Sequence, residues 1–153
     1  MQIADSRVEE TQRRKSEAIL QAQKAWRSAC TLNEHKDALR KEAAARRTKH
    51  AHKPVTYNGY KYDANTQAQQ KLTGKLTYAQ AAGKDSDSTW SVGWKTADNS
   101  FVQLSYTDLE IIVEAVNNQV QAAYNNEAQL LSQIDQAATI DEIEAIDLTS
   151  GWP

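Results

Sequence analysis

The sequence predicts a mainly α fold with two β-hairpins. In this α+β chain, long N-terminal helices are followed by a small antiparallel sheet, a long heptad-patterned helix and a short C-terminal helix. Three observations predict it. Apolar side chains recur at alternating steps of four and three from Leu109 to Ala137, the spacing of a helical seam. Two β-favouring runs flank Asn58-Gly59, the strongest short-range hairpin signal. Only two prolines and five glycines interrupt 153 residues, so long uninterrupted elements are permitted.

Taken in order, residues 5–31 are predicted helical, with Ile19, Ala22, Trp26 and Ala29 on one face and Arg13, Arg14 and Lys15 interrupting the stripe before them. Thr31-Leu32-Asn33-Glu34 is expected to break or bend that helix. A second helix, rich in Ala, Arg, Lys and Glu, runs from Lys36 to about His50 and is stopped by Pro54. Val55–Tyr62 forms the first hairpin. Asp63 or Asn65 then caps a helix over 65–73 that ends at Gly74, and a further short helix spans Leu76–Ala82, closed by Gly83. After a polar loop, Trp90–Tyr106 forms the second hairpin, with Trp90, Val92 and Trp94 alternating on its first strand. Both hairpins are expected to join into the small sheet.

Thr107 and Glu110 have the spacing of a capping box and are expected to open the heptad helix. Its stripe is Leu109, Val113, Val116, Val120, Ala123, Leu130, Ile134 and Ala137, with one polar break at Glu127, and Ile112, Tyr124 and Leu131 widen it. Thr139 and Glu142 repeat the capping box before a short helix over about Ile140–Ile146.

Charge is divided along the chain. All 18 Lys and Arg lie at or before Lys95, against 10 acidic residues, a balance of +8, while residues 96–153 carry 10 acids and no Lys or Arg. We read the two halves as facing each other, within one chain or between neighbouring chains, because the basic part is helical and interspersed with Glu and Asp. The basic run 36–53 lacks interleaved aromatics and any nucleic-acid module, which weighs against a nucleic-acid partner. No apolar run has the length of a membrane span, and residues 1–14 lack the apolar core of a secretory signal.

Chemistry is hard to find. The sequence holds no GxSxG, Walker A, GxGxxG or HExxH pattern. Cys30 is single, and His50 and His52 are better placed to meet a helix C-terminus than to hold a metal. No catalytic residue, metal or cofactor is expected, and the chain is read as a protein-interaction module rather than an enzyme. Tyr57, Tyr60, Tyr62, Trp90 and Trp94 are more simply core residues of two hairpins, but they could also present a glycan-binding platform.

One resemblance follows from the order of these features. A basic helix ends in a hairpin; Tyr60-Lys61-Tyr62-Asp63-Ala64-Asn65-Thr66-Gln67-Ala68-Gln69 forms a short strand, an Asp-Ala step and a small helix. Trp94 with Phe101-Val102-Gln103-Leu104 gives the second hairpin, Thr107-Asp108-Leu109 opens the long helix, and Thr139-Ile140-Asp141-Glu142-Ile143 with Gly151-Trp152-Pro153 closes the chain. In this, residues 37–153 resemble a bacteriophage domain family of unknown function found at the C-terminus of tail and tail-fibre proteins. Residues 1–36 lie outside the resemblance and form an N-terminal helical segment for attachment or oligomerisation. The resemblance implies a virion component made in the host cytoplasm: a tail fibre, tip or adaptor subunit that binds copies of itself and other tail proteins, with a trimer favoured. The chain's ending is also similar to tail-fibre assembly proteins, which implies the alternative of a chaperone absent from the finished particle. A receptor-binding tip that uses the aromatic hairpins on a glycan is the third expectation.

Overall fold

The computed structural model describes residues 2–29 and 31–153, the side chains of residues 2–5, 28 and 29 excepted. Helix α1 (Gln2–Ala29) is followed by α2 (Leu32–Ala51), strands β1 (Val55–Tyr57) and β2 (Tyr60–Tyr62), and α3 (Thr66–Ala81). A single 3₁₀ turn (Lys84–Ser86), strands β3 (Ser91–Lys95) and β4 (Phe101–Ser105), and helices α4 (Tyr106–Gln136) and α5 (Ile140–Glu144) complete the chain. The fold is α+β, as the sequence predicts.

The break between α1 and α2 is a capping box. Thr31 adopts an extended conformation, its hydroxyl accepts from the Glu34 N–H, and the Glu34 carboxylate accepts from the Thr31 N–H at 2.6 Å. The first hairpin turns on Asn58 and Gly59, both with positive φ (47° and 81°), which is the geometry that places Asn-Gly between two strands twisting in the right-handed sense. The second hairpin pairs Val92 with Leu104 and Trp94 with Val102, so those four side chains face the core. The hairpins do not merge into one sheet: each remains a separate two-stranded ribbon. They are tied by one backbone hydrogen bond, from the Ala97 N–H to the Lys61 carbonyl at 2.8 Å.

Helix α3 corrects the expectation of two short helices. It runs unbroken through Gly74, because Lys75, Leu76 and Ala79 continue the helical face and a glycine costs a helix interior only about 1 kcal/mol relative to alanine. Asn65 caps it, its side chain accepting from the Ala68 N–H at 2.9 Å. A Cβ at Gly74 would meet nothing within 4 Å. We therefore expect Gly74→Ala to stabilise the protein by about 0.5–1 kcal/mol, read as a higher melting temperature; a lower one would mean that the helix is broken there.

The opening of α4 is a second correction. Its cap is Ser105, not Thr107, because β4 passes into the helix without a loop and its last residue serves both elements. The Asp108 carboxylate accepts from the Ser105 N–H (2.9 Å), the Ser105 hydroxyl (2.7 Å) and the Tyr57 hydroxyl (2.8 Å), joining the first hairpin to the start of α4. The Ser105 hydroxyl above all holds this carboxyl below the usual carboxylate range, against the opposing effect of burial. A folded-state pKa below the unfolded one gives stability that is present above the ordinary carboxylate pKa near 4 and is lost as pH falls through the depressed value. Asp108→Asn is therefore expected to lower the melting temperature at pH 7 and to flatten its decline below about pH 4. Equal acid sensitivity in both proteins would remove Asp108 from this role.

The α4 stripe organises the core. Leu109, Ile112, Val113 and Val116 pack with Val55, Tyr62, Leu72 and Leu104 beneath the hairpins and α3. Further along, Leu130 meets Ala43 of α2 and Leu148, and Ile134 and Ala137 meet Ile143 of α5. Helix α2 lies antiparallel to α4: Lys36 and Arg40 reach Asp135, Arg47 reaches Glu127, and Gln119 donates to the Ala51 carbonyl. Short α5 is held by the Thr139–Glu142 capping box. Behind it, Gly151, with φ +81°, turns the chain so that Trp152 donates to the Leu148 carbonyl at 2.8 Å and stacks on His50.

Candidate functional site

The heptad stripe is used up within one chain. Leu109, Val113, Val116, Ala123, Leu130 and Ile134 are buried, and Val120 is half-buried against the main cluster. These residues are therefore core, and no seam along them is open to a neighbouring subunit. The polar break in the stripe has a partner: buried Glu127 accepts from Arg47 at 3.0 Å, and the same guanidinium lies 4.6 Å from the centre of the Tyr124 ring. The opposed charges of the two halves thus meet inside the molecule. Arg40 bridges Asp37 and Asp135 (2.7 and 2.6 Å), Lys36 donates to the Asp135 carbonyl (2.9 Å), and Arg27 reaches Asp141 and Glu144 of α5.

Helix α1 behaves differently. Its described contacts with the rest of the chain are at its last turns: the Trp26 ring lies 4.4 Å from that of buried His35, and Arg27 makes the ion pairs just given. His35 is held by Thr31, whose carbonyl lies 3.2 Å from its Nδ1. Over the rest of the helix, Val8 (61 % exposed), Ile19 (61 %) and Leu20 (52 %) face solvent, and Trp26 itself stays 53 % exposed beside His35. Val8, Ile19, Ala22 and Trp26 share a face, since steps of 11, 3 and 4 residues are close to whole helical turns. The Ala29 side chain, the fourth member expected of this stripe, and Cys30 lie outside the described residues.

Ion pairs between neighbouring turns support α1 locally: Glu10 pairs with Arg13 (2.6 Å) and Arg14 (2.7 Å). Such exposed pairs contribute roughly 0.3–0.5 kcal/mol each. That is little for a long helix standing in water, where packing of an apolar face normally supplies most of the stability.

The aromatic residues of the hairpins do not form one platform. Tyr62 is buried in the main cluster. Tyr57 is half-buried and bound to Asp108, and Trp90 and Trp94 pack against the core with one side each. Only Tyr60 of the five is well exposed, at 43 %. The reason is alternation: Tyr62, Val92 and Trp94 occupy the inward positions of their ribbons, which leaves Phe101, opposite Lys95, on the outward side at 75 % exposure. The sequence places Phe101 in the second hairpin but does not mark it as a contact residue, because a lone outward Phe in a hairpin carries no signal of its own. No group of three or more His, Cys, Asp or Glu side chains placed to hold a metal occurs among the described residues.

The fold and its surfaces define a small α+β body, organised on one long helix, with an additional helix carried outside the core. The chain belongs to the family described as "Domain of unknown function (DUF4376)", whose model matches residues 34–149, about three quarters of its length. That match begins just inside α2 and leaves α1 outside, so the family domain coincides with the packed body. No curated protein and no solved structure matches the chain.

Proposed function

We propose that this chain is a structural subunit of a bacteriophage tail, acting by assembly rather than by catalysis. In this reading the body spanning α2–α5 is a folded unit that docks to other tail proteins, and α1 is the element through which copies of the chain associate. The observation that carries the assembly part is the exposed apolar face of α1: Val8 and Ile19 stand in solvent, in line with the half-exposed Trp26 that anchors the helix end on His35. Apolar side chains aligned on one face of an otherwise uncovered helix fit a surface that packs on another protein. Helix α1 interleaves both signs of charge, six basic and four acidic residues over positions 2–29, a composition suited to pairing with further copies of itself. The tail assignment rests on the resemblance of residues 37–153 to phage tail C-terminal domains, in the order of their hairpins, caps and closing Gly-Trp-Pro.

Mass spectrometry of purified particles of the phage that carries the gene tests the tail assignment. The expected result is this chain in fixed stoichiometry with the other tail proteins. Its presence in infected-cell lysate but absence from particles would replace the structural role with that of an assembly chaperone.

A further inference from the structure

A groove of about 380 Å³ separates the N-terminal half of α3 from the second hairpin. Its walls carry Asp63 and Lys71 on one side and Trp94, Lys95, Asn99 and Phe101 on the other. We propose that this groove binds a saccharide that bears a carboxylate group, such as a uronic or sialic acid unit.

The groove is built rather than incidental. On one wall, Asp63 sits between Tyr62 and Ala64, both buried, so the backbone that carries it is fixed from both sides. On the other, the turn after β3 is locked around Thr96, which is buried: its N–H donates to the Ser100 carbonyl at 2.8 Å, and its hydroxyl reaches both that carbonyl and Asp98. This turn holds Asn99 in the left-handed region, at φ +68°, with its backbone N–H on the Thr96 carbonyl. The hydrogen bond from Ala97 to Lys61 ties the two walls together. The volume lies in the range of small-molecule clefts, roughly 300–1,000 Å³.

Its chemistry matches a sugar acid. Phe101 is the most exposed large apolar side chain among the described residues, and half-buried Trp94 also lines the groove. A pyranose ring has an apolar C–H face that stacks on such rings and a rim of hydroxyls that needs donors and acceptors. Among the described residues, the side-chain heads of Asp63, Lys71, Lys95 and Asn99 make no hydrogen bond or ion pair within the chain, so donors and acceptors converge on the groove uncommitted. Two lysines against one aspartate leave a net positive lining that suits one carboxylate. A nucleotide fits less well: a phosphomonoester carries nearly two negative charges against a lining of net +1, and the Ala68 N–H at the start of α3 is already taken by the Asn65 side chain.

The test uses the full chain on an array of neutral and carboxylated glycans, followed by calorimetric titration of the bound glycan, its neutral counterpart, inorganic phosphate and AMP. Phe101→Ala and Lys71→Ala alter exposed residues and are checked for unchanged melting; Tyr78→Ala, an exposed aromatic outside the groove, is the control. The carboxylated glycan is expected to bind the parent protein and the Tyr78 variant equally. Phe101→Ala should weaken it by about tenfold or more, and Lys71→Ala should weaken it while leaving the neutral glycan's weaker binding unchanged. No glycan bound, preference for AMP or phosphate, or affinity indifferent to Phe101 and Lys71 would each overturn the proposal. The readout does not depend on oligomeric state or on presence in a virion, so it stands or falls separately from the proposed assembly role.

Discussion

Val116→Asp is expected to leave the body unfolded at room temperature. Val116 is 2 % exposed, on the inner face of α4 beside Leu109 and Ile112, where α3 and the hairpins converge. Placing a carboxylate there removes an aliphatic contact and forces either an unpaired charge or a protonated acid into an apolar interior. The desolvation cost alone is several kcal/mol per ion, against a total stability of about 5–15 kcal/mol for a domain. Ile111→Asp is the matched comparison, because this aliphatic residue of the same helix is 39 % exposed. Circular dichroism should show a cooperative melt for Ile111→Asp and none for Val116→Asp. A native-like melt in both would mean that the buried face of α4 has been misassigned.

The second large effect concerns the charge pair inside the stripe. Arg47→Ala removes the partner of Glu127, whose side chain is only 11 % exposed, and also removes the guanidinium from the Tyr124 ring. Breaking a fully buried pair costs about 3–5 kcal/mol because one charge is left uncompensated. Arg47 keeps 26 % of its side chain in water, so roughly 2–3 kcal/mol is expected here. The two ends of the pair are not equivalent. Glu127→Leu should cost less than Arg47→Ala, since the orphaned arginine can turn to solvent while the orphaned glutamate cannot. The double change Arg47→Leu with Glu127→Leu should recover most of the loss, as apolar replacements of buried pairs often do. Equal costs for both single changes in thermal or urea denaturation would show that Glu127 is better solvated than its burial indicates.

Local signals were legible wherever a few adjacent residues decide the backbone. Asn58-Gly59 announces its turn because both positions need positive φ, and Thr139 with Glu142 announces a cap because the two side chains satisfy each other's backbone N–H groups. The α4 stripe was legible as buried, since a period-3.5 apolar face over eight turns must be covered by something. What covers it was not legible: periodicity alone does not distinguish a neighbouring copy from α2, α3 and the hairpins of the same chain. Glu127 is instructive in this respect. In sequence it is a flaw in the stripe, and only the antiparallel packing of α2 makes it the partner of Arg47.

The misplaced boundaries share one cause. Gly74 and the Thr107 box are sound local signals that tertiary packing overrode: α3 continues because its far half packs Leu76 and Ala79, and α4 begins early because Ser105 ends a strand and caps a helix at once. The groove was beyond sequence reading for a related reason. Its walls come from residues 63–71 and 93–101, which meet only after both hairpins are anchored on α4, and Phe101 is distinguished from its neighbours only by which way its strand faces.

The proposed division of labour between the packed body and α1 is tested most directly by light scattering coupled to size-exclusion chromatography. The parent chain is compared with Val8→Asp/Ile19→Asp, two changes on the exposed face of α1 away from the Trp26–His35 contact, each protein also being melted by circular dichroism. Both changed side chains are more than half exposed, so the body should keep its melting temperature. The predicted result is an oligomer for the parent and a monomer for the variant, with superimposable melting of the body. A monomeric parent chain at tens of micromolar, or an oligomer of unchanged mass in the variant, would contradict the assignment of α1 as the assembly element.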